Sequence, residues 1–81
     1  MKITGEKGHV DIEHNGNIAR FYGDLCINGF SAIASTMEWL LHKGSVREEE
    51  RLELMKAVRE HLKKNKFKVH FTDEKGKKLK F

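Results

Sequence analysis

HVDIEHNGNIARFYGDLCINGF, residues 9–30, contains two Asn-Gly dipeptides, Asn15-Gly16 and Asn28-Gly29, each set between runs in which apolar and polar residues alternate. Asn-Gly tolerates the positive φ angles of a tight type I′ turn, so the pattern reads as two β-hairpins sharing their middle strand. A two-residue turn at Asn15-Gly16 places His14 opposite Asn17, Ile12 opposite Ala19 and Val10 opposite Phe21. Opposed residues share a face. Val10, Ile12, Ala19 and Phe21 therefore form one apolar patch, while Asp11 and Arg20 make an opposite-charge pair on the other side. The same reasoning at Asn28-Gly29 pairs Ile27 with Phe30 and Leu25 with Ala32, and keeps Phe21, Leu25 and Ile27 on the core face. Gly23 then marks a bend or bulge. The first forty residues are thus expected to form a four-stranded β-meander.

After Ala34 the period changes. Met37, Leu40 and Leu41 have the spacing of a short helix, with Ser35 or Thr36 to cap its start and His42-Lys43-Gly44 to end it. A longer helix follows. Ser45 and Glu48 form a capping box, Glu48, Glu49 and Glu50 complement the positive first turn, and Lys63 and Lys64 the negative last turn. Leu52, Met55, Val58 and Leu62 make its apolar stripe, widened by Leu54 and Ala57. Lys56 with Glu60 and Glu60 with Lys64 are opposite charges four residues apart on its outer side. The chain then reads as a strand from Phe67 to Thr72, a polar turn containing Asp73, Glu74, Lys75 and Gly76, and a short strand from Lys78 to Phe81. The predicted fold is a single α+β domain, residues 1–81. An antiparallel β-meander carries one short and one long helix on one face and ends in a C-terminal β-hairpin.

The net charge of +4 is unevenly placed. Residues 1–62 hold eight Lys/Arg against ten Asp/Glu, whereas residues 63–81 hold eight against two. Such a basic segment suits an anionic partner, nucleic acid or an acidic protein surface. It suits a solvated sheet face better, because Lys66, Lys68, Lys78 and Lys80 alternate with Phe67, Val69, Leu79 and Phe81. Stacking on nucleic acid needs aromatics exposed together with cations, and the alternation separates them. The residues for that alternative are Lys64, Lys66, Lys68, Lys78 and Lys80. No run reaches the length of a membrane span, and MKITGEKGHV lacks the apolar core of a secretory signal. With one cysteine, Cys26, the expected compartment is the reducing cytoplasm, with no membrane partner.

Residues suited to catalysis are thinly spread. Nothing in the spacing brings Cys26 to a particular base among His9, His14, His42, His61 and His70. His9 and His14 differ in strand parity, and the chain has neither HExxH nor a Cys/His cluster, so no metal is expected. The seven glycines form no phosphate loop, and no cofactor is expected. Tyr22 and Trp39 are the large aromatics best suited to anchor a protein partner, although Trp39 suits a place between helix and sheet equally well.

The order of a hairpin start, GDLCINGFSAIASTMEWL over 23–40, the acidic-start helix SVREEERLELMKAVREHL over 45–62 and the strand FKVHF over 67–71 resembles the Immunity protein 74 family. The resemblance is carried by Gly23-Asp24, Gly29-Phe30, Ala32, Ser35, Trp39 and the glutamate-rich helix start. It implies a small cytoplasmic protein of a bacterial polymorphic toxin system that binds and neutralises a cognate toxin, and it transfers no catalytic residue. Inhibition would then proceed by surface occlusion, with Trp39, Tyr22 and Arg20 as the expected contacts and the enzyme class excluded. The basic net charge departs from the acidic surface that would suit blocking a nuclease. The edge of the last strand also offers a second copy a surface for homodimerisation.

Overall fold

Strand β2 (His9–His14) pairs with β3 (Asn17–Cys26) in the expected register: His14 faces Asn17, Ile12 faces Ala19 and Val10 faces Phe21. The computed structural model describes residues 1–41 and 44–81. Asn15 and Gly16 take φ of 51° and 76°, as a type I′ turn requires. Val10, Ile12, Ala19 and Phe21 are all buried. Strand β1 (Lys2–Glu6) lies antiparallel against β2, joined by a turn in which Gly8 has φ 93°.

The second hairpin, between β3 and β4 (Gly29–Trp39), turns one residue early, which shifts the pairing by two residues from the expected register. Its turn is Ile27-Asn28, with Asn28 at φ 57°, and Cys26 faces Gly29 while Leu25 faces Phe30. Gly29 is required elsewhere. A Cβ on it would stand 2.5 Å from the Lys68 carbonyl oxygen, so glycine there admits the neighbouring strand. The shift leaves Ile27 95% exposed at the turn and Leu25 51% exposed at the rim of the sheet, correcting the expectation that both enter the core.

The expected short helix over Met37, Leu40 and Leu41 is also corrected, because β4 runs on as a strand through Trp39. Between Arg20, facing Glu38, and Tyr22, facing Ile33, the ladder bulges, so that Ala34, Ser35, Thr36 and Met37 stand against the single Phe21. Thr36 fills the broken ladder. Its hydroxyl accepts the Tyr22 N–H at 2.9 Å and donates to the Ile33 carbonyl at 2.5 Å. The bulge reverses strand parity, and Ala34 and Met37 both point inward. Apolar residues three apart are what a helix also shows, which is how the pattern misleads. Of the expected helix end, His42 and Lys43 lie outside the described residues.

Among the described residues there is one helix, α1 (Glu48–His61). Arg47 caps it in place of Ser45, its N–H donating to Glu50 Oε1 at 3.2 Å. Glu48, Glu49 and Glu50 occupy the first turn as expected, and Glu48 pairs with Arg51. The last turn carries Arg59 and His61, with Lys63 and Lys64 beyond the cap residue Leu62. The expected Lys56–Glu60 and Glu60–Lys64 pairs do not close among the described residues. Leu54, Met55, Val58 and Leu62 are buried, whereas Leu52 is exposed.

Helix α1 is the crossover of a β–α–β unit, and β5 (Lys68–Thr72) returns parallel to β4. The result is a curled five-stranded sheet in the order β1-β2-β3-β4-β5. The antiparallel sheet expected from the sequence therefore ends in a parallel strand. The expected C-terminal hairpin is reduced to a bridge between Thr72 and Lys78 and two backbone hydrogen bonds, from the Asp73 N–H to the Lys77 carbonyl at 2.9 Å and from the Leu79 N–H to the Phe71 carbonyl at 2.8 Å. Asp73 ties the intervening turn, Oδ1 accepting the N–H groups of Lys75 and Lys77. Phe21, Phe30 and Phe71 lie at the centre of the core, with the Phe21 and Phe71 rings edge-to-face at 5.0 Å.

Candidate partner-binding surfaces

The sheet face away from α1 carries one connected polar row. Strand alternation puts His9 and Asp11 of β2, Arg20 and Tyr22 of β3 and Glu38 of β4 on this side, and the register sets His9 beside Tyr22 and Arg20 between Asp11 and Glu38. Arg20 grips Asp11 with two hydrogen bonds, Nε to Oδ1 at 2.8 Å and Nη2 to Oδ2 at 3.0 Å. That fork holds the Asp11 carboxyl below its ordinary range, through the Arg20 hydrogen bonds first, against the opposing effect of partial burial. Arg20 is correspondingly raised.

Tyr22 donates its hydroxyl proton to Glu38 Oε1 at 2.5 Å, and this bond to a carboxylate raises the phenol above its usual range. The bond holds the phenol protonated and fixes its position. His9 leans edge-on against the Tyr22 ring, with centroids 6.5 Å apart. Tyr22 is thus fixed at both ring and hydroxyl while 39% exposed, the condition in which an aromatic side chain loses little freedom on meeting a partner.

Trp39 stands elsewhere. The bulge gives it the parity of Ala19, which it faces, so its side chain lies on the helix side of the sheet, half-buried against the core. There it lines a cleft of about 410 Å³ between the tip of the first hairpin and α1, together with Ile12, His14, Asn17, Glu50 and Glu53. The structure therefore brings Arg20 and Tyr22 together and sets Trp39 on the opposite face.

The five candidate lysines divide as well. Lys64 and Lys66 are exposed in the connection between α1 and β5. Lys68 is committed to the fold, its Nζ donating to the Leu62 and Lys63 carbonyls at 2.6 and 2.8 Å and so closing the C-terminal end of α1. Lys78 and Lys80 rim a groove of about 480 Å³ that Arg59 and Lys63 of the helix end enter from the other side. Sequence reasoning missed Arg59 and Lys63 there. Their signal was the four-residue spacing that places both on one helix face beside Leu62.

Cys26 is exposed at the end of β3, its Sγ 3.5 Å from the Asp24 carbonyl. Among the described residues no three His, Cys, Asp or Glu side chains converge as metal ligands, and no helix is long and apolar enough to cross a membrane.

The family model described as Immunity protein 74 matches residues 2–72, which takes in every strand and the helix. The chain belongs to the Immunity protein 74 family. No curated protein and no solved structure matches it. The matched region includes the polar row, Gly23 and Gly29 at the close strand approaches, Trp39 and α1, while Lys78 and Lys80 lie beyond it.

Proposed function

We propose that this protein binds a cognate bacterial toxin in the cytoplasm and neutralises it by covering its working surface, with no chemistry of its own. The observation that carries this reading is membership of the immunity-protein family over residues 2–72. The open sheet face supports it. Tyr22 and Arg20 are presented there as a braced aromatic and a braced cation, residue types that concentrate binding energy at protein interfaces. Trp39, on the other face, contributes through the cleft at the hairpin tip and helix if the toxin reaches around that edge. The basic C-terminal residues make charge-steered encounter with an acidic partner faster and salt-dependent.

The test is co-expression in a bacterial host with the toxin encoded beside this protein's gene. Wild-type protein is expected to restore growth and to co-purify with the toxin through a high-salt wash. Tyr22→Ala and Arg20→Ala are expected to weaken the complex while still unfolding in one cooperative thermal transition, lowered in Arg20→Ala by loss of the fork on Asp11. Absence of both protection and complex by the wild type rejects the reading, and unfolding of the two variants rejects their role as contacts.

A further inference from the structure

The groove between the end of α1, β5 and the C-terminal residues has an apolar floor of Leu62, Val69, Leu79 and Phe81 and a rim of Arg59, Lys63, Lys78 and Lys80. No Asp or Glu lines it, and among the described residues none of those four cations is in an ion pair. One wall is a strand edge. The Lys68 N–H bonds to Asn28 on the β4 side, while the Phe71 carbonyl points away from β4 and takes the Leu79 N–H. Alternation along a parallel ladder turns the N–H and C=O of Val69 outward with those of Phe71, beyond the point where Leu79 covers the edge.

From this combination we infer that the groove receives an extended acidic segment of a protein partner, paired along the Val69 edge with its carboxylates on the Arg59, Lys63, Lys78 and Lys80 rim. The inference rests on the immunity reading for the identity of that partner, the toxin. A strand edge offers main-chain hydrogen bonds that a peptide uses and a nucleic acid does not. The groove's two phenylalanines are also closed to base stacking. Arg59 lies over the Phe81 ring at 4.9 Å, the Phe71 ring meets Phe81 edge-on at 5.9 Å, and Phe71 is itself buried. Among the described residues, a second copy has no free extended acidic segment to offer. Its acidic run, Glu48–Glu50, is wound into the first turn of α1 and tied to Arg47 and Arg51.

Fluorescence anisotropy of the full chain tests the proposal with a short labelled peptide of alternating Glu and Val. The comparisons are the same peptide N-methylated at alternate residues and an oligothymidylate of equal charge. Two charge-reversed triples complete the set: K63E/K78E/K80E in the groove and K64E/K66E/K75E outside it. The acidic peptide is expected to bind, with affinity reduced about tenfold or more by the groove triple or by N-methylation, and only about two- to threefold by the outer triple. Circular dichroism confirms that both triples fold. Equal losses in the two triples reduce the effect to net charge and overturn the proposal, as does tighter binding of the oligothymidylate. Undiminished binding of the N-methylated peptide overturns the pairing along the Val69 edge. In the co-expression assay, loss of protection by the groove triple places the toxin in the groove, and full protection by it removes the toxin from the groove while leaving immunity intact. Failure of the wild type to protect rejects the immunity reading itself.

Discussion

Replacing Gly23 by alanine should be among the most damaging small changes this chain can suffer. A Cβ built at Gly23 would sit 1.9 Å from the Ser31 carbonyl oxygen, with Ser31 C at 3.0 Å and Ala32 Cα at 3.2 Å. All three atoms are backbone, so no rotamer change relieves the overlap. Reaching even a 3.0 Å contact requires β3 and β4 to part locally by about 1.1 Å. A hydrogen bond stretched from ~2.9 Å by that amount is lost. Two ladder bonds around the Gly23–Ala32 and Asp24–Ser31 pairs contribute about 1 kcal/mol each. Loosened packing of Phe21 and Phe30 adds about 1 kcal/mol more. Alanine returns roughly 0.5 kcal/mol by restricting the unfolded chain. The net loss is about 2–3 kcal/mol, against a total stability on the order of 4–12 kcal/mol for a domain of this size. Thermal unfolding followed by far-UV circular dichroism should show a fall in Tm of about 10–20 °C. Gly44→Ala, where a Cβ meets nothing within 4 Å, should leave Tm nearly unchanged and serves as the control. A Gly23→Ala protein melting within about 3 °C of wild type would refute the close-approach argument.

Three further outcomes follow from named contacts. Thr36→Val removes the hydroxyl that joins the Tyr22 N–H to the Ile33 carbonyl across the bulge, and should cost about 1–2 kcal/mol in urea denaturation. Lys68→Met keeps the aliphatic stem but uncaps the Leu62 and Lys63 carbonyls, and should cost about 1 kcal/mol, with the amides of the last turn of α1 exchanging faster with deuterium. Asp11, depressed in the fold by Arg20, contributes stability that is present above its unfolded value of about 4 and is lost as pH falls through its lower folded value. The urea midpoint of the wild type should therefore fall on acidification below about pH 4–5 more steeply than that of Asp11→Asn, and parallel curves would remove Asp11 from the acid transition.

How far the fold could be read in advance depended on whether a residue answered to one neighbour or to several. Alternation and the Asn15-Gly16 turn act locally, and they set the β2–β3 register and the Asp11–Arg20 pair correctly. Gly29 answers both to its own turn and to Lys68, thirty-nine positions away, and the distant demand prevails, moving the turn by one residue and the pairing by two. At Ala34–Met37 the bulge mimics helical spacing, because four residues facing one reverse the parity that strand reading assumes. Similarly, Arg47 takes the capping place that composition assigns to Ser45. The site divides along the same line. Arg20 and Tyr22 share a face by simple parity, but the Tyr22–Glu38 contact and the inward turn of Trp39 both depend on the bulge. The groove joins Arg59 and Lys63 to Lys78 and Lys80 through the β–α–β crossover, and neither segment signals the other.

That crossover also sets an order of assembly. Strands β1 to β4 are sequential hairpins, each closing a short loop, whereas β5 meets β4 only after α1 has been made and folded back. On the ribosome the meander therefore emerges first, with the apolar side chains of Phe30, Ala32 and Ala34 uncovered and the Gly29–Ile33 edge unpaired. For the interval between release of Trp39 and docking of Phe71, the nascent chain is a sheet with an adhesive border. The speed of the helix in crossing that gap governs how much newly made protein escapes aggregation.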